Sequence, residues 1–242
     1  SEALDYMQNN KLYDFSAEPN KMHAGYTTIL NEYSAPFMFI NSSDYRQPDT
    51  VIHEFGHYYN FYLMPELKWN DNNNLDAAEI HSQALELLMQ PYYDQFFGAD
   101  QAEGQKVFSI YNMISSILQG CAEDEFQQAV FANPDLTLEE VNELHSEIFY
   151  QFTGSELYYE WVEIHHHFET PFYYISYATS AISALEIWAQ SLDDRNQALS
   201  TYNQITQFTT NFKYRDALTS SGLKDPFTSD CVSEIAAKVK GL

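Results

Sequence analysis

The sequence predicts a mainly α fold, a multi-helix domain with a small β-ribbon ahead of one central helix. Three observations carry that prediction. Glycine and proline number only 8 each among 242 residues, too few for a turn-rich β architecture. From residue 49 onward, apolar residues recur at spacings of three and four, the period of an amphipathic helix. Strand-like patterning is confined to one short stretch near the N-terminus. The length suffices for a sizeable core, and no repeat, low-complexity tract or Gly/Ser-rich linker divides the chain, so residues 1–242 read as one domain.

In chain order, residues 1–24 are polar with little periodicity, which predicts irregular structure or a short helix. Ala35-Pro36-Phe37-Met38-Phe39-Ile40-Asn41 is a short apolar run bounded by Pro and by Asn-Ser-Ser, and reads as a strand. Such a strand either offers an edge to an extended peptide or forms a ribbon packed on a helical body. A helix is expected from 49 to about 64, with Asp49 or Thr50 as N-cap and Pro48 starting the turn. Its apolar stripe is Ile52, Phe55, Tyr59 and Tyr62. Gly56 in its middle should cost about 1 kcal/mol relative to Ala, so a close neighbour is expected there.

A polar loop at 68–74 leads to a helix over 77–90 capped by Asp76, with Ile80, Ala84, Leu87 and Leu88 on its apolar face. Glu79, Gln83 and Glu86 form a second stripe on it. A long helix over 101–131 has Val107, Ile110, Tyr111, Ile114 and Leu118 in phase, and Asn133-Pro134-Asp135 breaks it. Thr137 and Glu140 make a capping-box pattern for a helix to about 152, which Gly154 ends. Helices are then expected over 174–192, 195–212 and 229–238, with a turn around 220–227.

The chemistry centres on His53-Glu54-Phe55-Gly56-His57. On a helix, histidines four apart share a face, so both imidazoles can bind one metal ion. Glu54 beside them can take a proton from a water at that metal. An acidic stripe is ordinarily a solvated face, but the upstream motif makes Glu79 the candidate third ligand, returned to the metal by a helix–loop–helix. His81, two positions on, falls on the opposite helical face and reads as surface or as support for a ligand. The run His165-His166-His167 invites a second metal, but the first site already has three ligands.

Charge and cysteines exclude other classes. With 35 acids against 11 bases, a net charge of −24 repels nucleic acid and anionic membrane. The most apolar stretch, 172–189, carries Glu186 and several hydroxyl residues and is not a membrane span. Only Cys121 and Cys231 are present, which suits a reducing, cytoplasmic compartment.

These stretches resemble the thimet oligopeptidase and oligoendopeptidase F family of zinc metallopeptidases. The resemblance rests on the H-E-F-G-H motif followed by Ala78-Glu79-Ile80-His81-Ser82-Gln83 through Glu86. Gly25-Tyr26 and the 35–41 run carry it upstream. Downstream it rests on His167 before Pro171-Phe172-Tyr173 and Tyr177, and on Ser221-Gly222 through Asp225-Pro226-Phe227. It covers roughly residues 25 to 235 and implies a zincin-like (gluzincin) catalytic fold. By that match His53, His57 and Glu79 hold Zn²⁺, and Glu86 supports a ligand. Glu54 is the general base toward a metal-bound water, and His167, Tyr173 and Tyr177 contact substrate and transition state. Oligopeptides are the implied substrates. Relatives have a further Tyr or acid where Ile175 and Ser176 stand here.

Family members also carry a large N-terminal helical lobe that forms the opposite wall of the cleft. Only residues 1–52 precede His53, so the chain is expected to be the C-terminal catalytic portion of a longer protein, with the missing lobe as its partner, or else a truncated relative. The alternative is a peptide-binding or structural portion without independent activity.

Overall fold

The structure is a computed structural model, and it describes residues 2–21, 25–41, 47–64, 75–155, 160–208 and 212–241. The loop expected at 68–74 lies outside the described residues. The fold is mainly α with one small sheet, as the sequence predicts.

Helix α1 (Glu2–Asn10) precedes strands β1 (Tyr13–Asp14), β2 (Gly25–Leu30) and β3 (Ala35–Ile40). The sheet order is β1-β3-β2; β1 pairs parallel with the end of β3, and β2 pairs antiparallel along all of it. Among the described residues, one edge of β2 therefore has no sheet partner. Met38, Ile40, Met7 and Tyr58 form the core beneath the sheet and join it to α2 (Gln47–Leu63).

Helix α2 begins two residues ahead of the expected start, with Pro48 in its first turn, where a missing N–H is tolerated. Its partner is α3 (Ile80–Leu88). A Cβ on Gly56 would lie 2.5 Å from Ser82 Cα and 2.6 Å from the His81 carbonyl oxygen, so only glycine admits this approach. The helix expected over 77–90 is broken: a 3₁₀ turn spans Leu75–Ala77, and α3 starts only at Ile80. The Asp76 carboxylate, expected to cap, instead accepts a hydrogen bond from Ser176 Oγ at 3.4 Å.

After α4 (Tyr93–Phe97), the 31-residue α5 (Ala102–Ala132) crosses the domain, and α6 (Leu138–Thr153) folds back on it. The Thr137–Glu140 capping box forms, and Gly154 ends α6 in the left-handed region at φ 69°. Here the structure departs from the expected stripe: Ile110 is buried, while Val107, Tyr111, Ile114 and Leu118 are exposed. The face of α5 that meets α8 (Ile175–Asp193) packs Ile110 and Met113 into the core and approaches most closely at a small-residue contact. A Cβ on Gly120 would lie 2.8 Å from Ala178 Cβ, too close for a bulkier seam.

A short α7 (His166–Glu169) leads into α8. The helix expected over 195–212 ends early, as α9 (Arg195–Ile205), followed by α10 (Tyr214–Ser220). Asn60 Nδ2 of α2 donates to the Thr206 carbonyl at 2.6 Å, which takes up the acceptor at the point where α9 stops. Helix α11 (Ser229–Val239) closes the fold. The main core lies between α3, α5, α8, α9, α10 and α11 around Trp188, whose indole N–H donates to Gln90 Oε1 at 3.0 Å. Side chains as deeply buried as Leu185, Ile187 and Leu218 each contribute about 1.5–3 kcal/mol.

Candidate metal centre and active site

Helices α2 and α3 bring three side chains to one point. His53 Nε2 and His57 Nε2 are 3.3 Å apart, and each is 3.3 Å from Glu79 Oε2. The histidines share a face because they are one turn apart on α2. Glu79 reaches them from the turn ahead of α3, which the Gly56 contact holds close. Among the described residues these three are the group able to hold a metal ion.

Each ligand candidate is oriented by a further side chain. His53 Nδ1 meets Glu86 Oε1 at 2.7 Å, and His57 Nδ1 meets His81 Nε2 at 3.0 Å. With Nδ1 so engaged, both rings present Nε2 inward. Ser82 Oγ donates to Glu79 Oε2 at 2.9 Å, and the Tyr173 hydroxyl donates to Glu79 Oε1 at 3.0 Å. Burial alone would raise the Glu79 carboxyl, but the imidazoles of His57 and His53 hold it well below the usual carboxylate range. Burial opposes charge on His53 too, and the Glu79 and Glu86 carboxylates override it and hold its pKa well above the ordinary value. His81 goes the other way: burial, then the neighbouring His57, push it well down, so its ring is neutral and can accept from His57.

Glu54 is buried at 6 % exposure and lines the same cleft, a cavity of about 410 Å³. Its Oε2 accepts from Thr27 Oγ1 of β2 at 2.9 Å, and that hydroxyl also lies 2.9 Å from the Glu54 carbonyl. Gly25, Tyr26 and Thr27 line the cleft, so the free edge of β2 runs beside Glu54. Opposite, Tyr177 Oη is 3.3 Å from His166 Nε2. Burial raises the Tyr173 and Tyr177 phenols, so both stay neutral, and burial lowers His166.

The structure thus brings together His53, Glu54, His57, Glu79, Glu86, Tyr173 and Tyr177. It does not bring His167 with them. His167 Nε2 lies 3.2 Å from the buried Glu123, and its Nδ1 meets the Trp161 carbonyl at 3.1 Å. Adjacent residues in a helical turn point about 100° apart, so only one of the two can face the cleft, and it is His166. Sequence reasoning also missed Thr27. Of the two readings for His81, surface or support for a ligand, the structure shows the second: buried His81 backs His57.

The fold and the site define a mainly helical domain built around a His-His-Glu group with a carboxylate beside it. No protein-family model and no curated protein matches the chain. Solved structures do. PZ peptidase A with an inhibitor superposes with a TM-score of 0.89 at 26 % identity, over 99 % of this chain and 45 % of that one. A structure described as an oligoendopeptidase F gives 0.88 at 26 %, over 99 % and 44 %. One from Bacillus anthracis str. Ames, given the same description, yields 0.84 at 26 %, over 99 % and 42 %. The resemblance to oligoendopeptidase F read from the motifs therefore holds for the fold of the whole chain. The chain spans less than half the length of each of these relatives.

Proposed function

We propose that the chain is the catalytic portion of a zinc-dependent metalloendopeptidase that hydrolyses oligopeptides. The observation that carries this reading is the triangle of His53 Nε2, His57 Nε2 and Glu79 Oε2, with edges of 3.3 Å. Zinc bonds of about 2.0–2.1 Å in tetrahedral array separate their donor atoms by about 3.3–3.4 Å. The donor set, two imidazoles and one carboxylate, also suits zinc and leaves a fourth position for catalysis. The similarity to PZ peptidase A and to oligoendopeptidase F structures supports the same reading.

Bound there, zinc would supply Lewis acidity toward a water and a carbonyl. The remaining chemistry falls to the chain. Glu54, its Oε2 held by Thr27, takes a proton from the attacking water and delivers one to the leaving amine. Neutral His166 and Tyr177 donate toward the oxyanion side of the cleft. Tyr173 orients Glu79 through its 3.0 Å hydrogen bond. The free β2 edge pairs with an extended substrate backbone and brings the scissile carbonyl beside Glu54. Two free thiols fit a reducing compartment, and no described helix is long and apolar enough to cross a membrane.

An internally quenched, N-blocked oligopeptide tests this. Cleavage by the chain that a chelator abolishes and zinc restores is the expected result; no cleavage at full zinc occupancy rejects it for this chain. One observation favours a second reading. Because the chain spans less than half of each relative, it can be a peptide-binding portion whose turnover needs further polypeptide. Peptide affinity without cleavage distinguishes that case.

A further inference from the structure

Behind the cleft lies a second cluster of titratable groups that the chemistry above does not use. Glu123 of α5 is 1 % exposed. Its Oε1 lies 3.3 Å from His145 Nε2 of α6, and its Oε2 lies 3.2 Å from His167 Nε2 of α7. The second approach is at ion-pair distance without hydrogen-bond alignment. His167 Nδ1 faces the Trp161 carbonyl at 3.1 Å; a carbonyl only accepts, so Nδ1 carries a proton. One turn further along α5, buried Gln127 accepts the Phe172 N–H at 2.8 Å, where Phe172 holds φ at +65°. The segment from His166 to Phe172 is thus anchored on α5 at two points.

The other side of that segment faces the cleft. His166 stands edge-on to Tyr173 with ring centres 4.9 Å apart, and its Nε2 meets Tyr177. Tyr173 in turn donates to Glu79. A deeply buried carboxylate is a poor source of net stability, because desolvation offsets most of the attraction to its partners. A carboxylate here can instead fix geometry.

We propose that Glu123 is a positioning residue: acting through His167, it sets the register of the His166–Tyr173 segment and so aims His166 and Tyr173 at the Glu79 side of the cleft. The rate consequence rests on the peptidase reading; the geometric one does not.

The test uses the full chain with Glu123→Gln, which keeps shape and removes charge. Gln127→Ala, which keeps the Glu123 carboxylate and its two histidines but removes the hydrogen bonds to the Phe172 N–H and to the Glu123 backbone carbonyl, is the second variant. Histidine-ring ¹H–¹⁵N spectra of the metal-free protein come first. The expected result is that His166 signals move in Glu123→Gln. His166 signals unmoved in folded Glu123→Gln, whatever the loss in melting temperature, overturn the proposal, and so does movement in Gln127→Ala alone. In the zinc-loaded protein kcat should fall about 10–100-fold with KM within about twofold, the signature of misplaced transition-state donors. A KM rise at constant kcat would contradict it. If wild type cleaves nothing, the peptidase reading fails while the spectra still decide the positioning role.

Discussion

His57 Nδ1 and His81 Nε2 lie 3.0 Å apart, so a neutral imidazole fills the place usually taken by a carboxylate or carbonyl behind a ligating histidine. Burial lowers His81 and keeps it an acceptor, which leaves His57 Nε2 to face inward. His81→Ala should therefore weaken zinc binding by about 10–100-fold. Competition against a chromophoric chelator measures this, and an unchanged affinity would show that His57 needs no support.

Gly56→Ala pits two effects against each other. Alanine favours the helix by about 1 kcal/mol. Its Cβ would meet Ser82 Cα at 2.5 Å, and forcing α2 from α3 costs about 1–3 kcal/mol or more. The neighbour is backbone and cannot rotate away, so crowding wins. Urea denaturation should give a lower midpoint for the variant, together with weaker zinc binding.

Thr27→Val removes the hydroxyl that holds Glu54 Oε2 while keeping the side chain's shape. Loss of a hydrogen bond to a charged group, worth about 1.5–3 kcal/mol, should lower kcat roughly tenfold or more. Thr27→Ser should retain most of the wild-type rate. Steady-state kinetics on one peptide compare the three.

Glu123 makes stability depend on acid pH. Burial alone would raise its carboxyl, but His145 and His167 more than reverse this, and its folded pKa lies below the ordinary 4.5. A lowered carboxylate contributes stability that is present above the unfolded pKa and lost as pH falls through the folded one. The stability gap between wild type and Glu123→Gln should therefore be full above pH 4.5 and shrink below it. Urea titrations across that range test the sign; a gap that widens on acidification would reverse it.

Much of this was legible in the sequence, and the reasons are local. His53 and His57 are one helical turn apart, so spacing alone put them on one face. The Thr137–Glu140 box and Gly154 bound α6 by cap chemistry, which needs only neighbours in sequence. Gly56 announced a close contact because glycine is costly inside a helix. What spacing missed depends on tertiary neighbours. The Asp76 carboxylate meets Ser176 instead of capping, and α3 begins only at Ile80. Which of His166 and His167 faces the cleft is decided by Glu123, over forty residues away in the chain. Of the stripe expected on α5, Ile110 packs inward with Met113 while Val107, Tyr111, Ile114 and Leu118 face out, a split set by which side of α5 meets α8.

The most direct test of the account is the turnover rate of Glu54→Gln at full zinc occupancy, measured on the same quenched peptide as wild type. Glu54 touches none of the three ligand atoms' bonds to metal in this reading, so the variant should bind zinc like wild type. Its kcat should fall about 10²–10⁴-fold, the range for a lost general base. A zinc-loaded Glu54→Gln protein that cleaves at the wild-type rate would contradict the account.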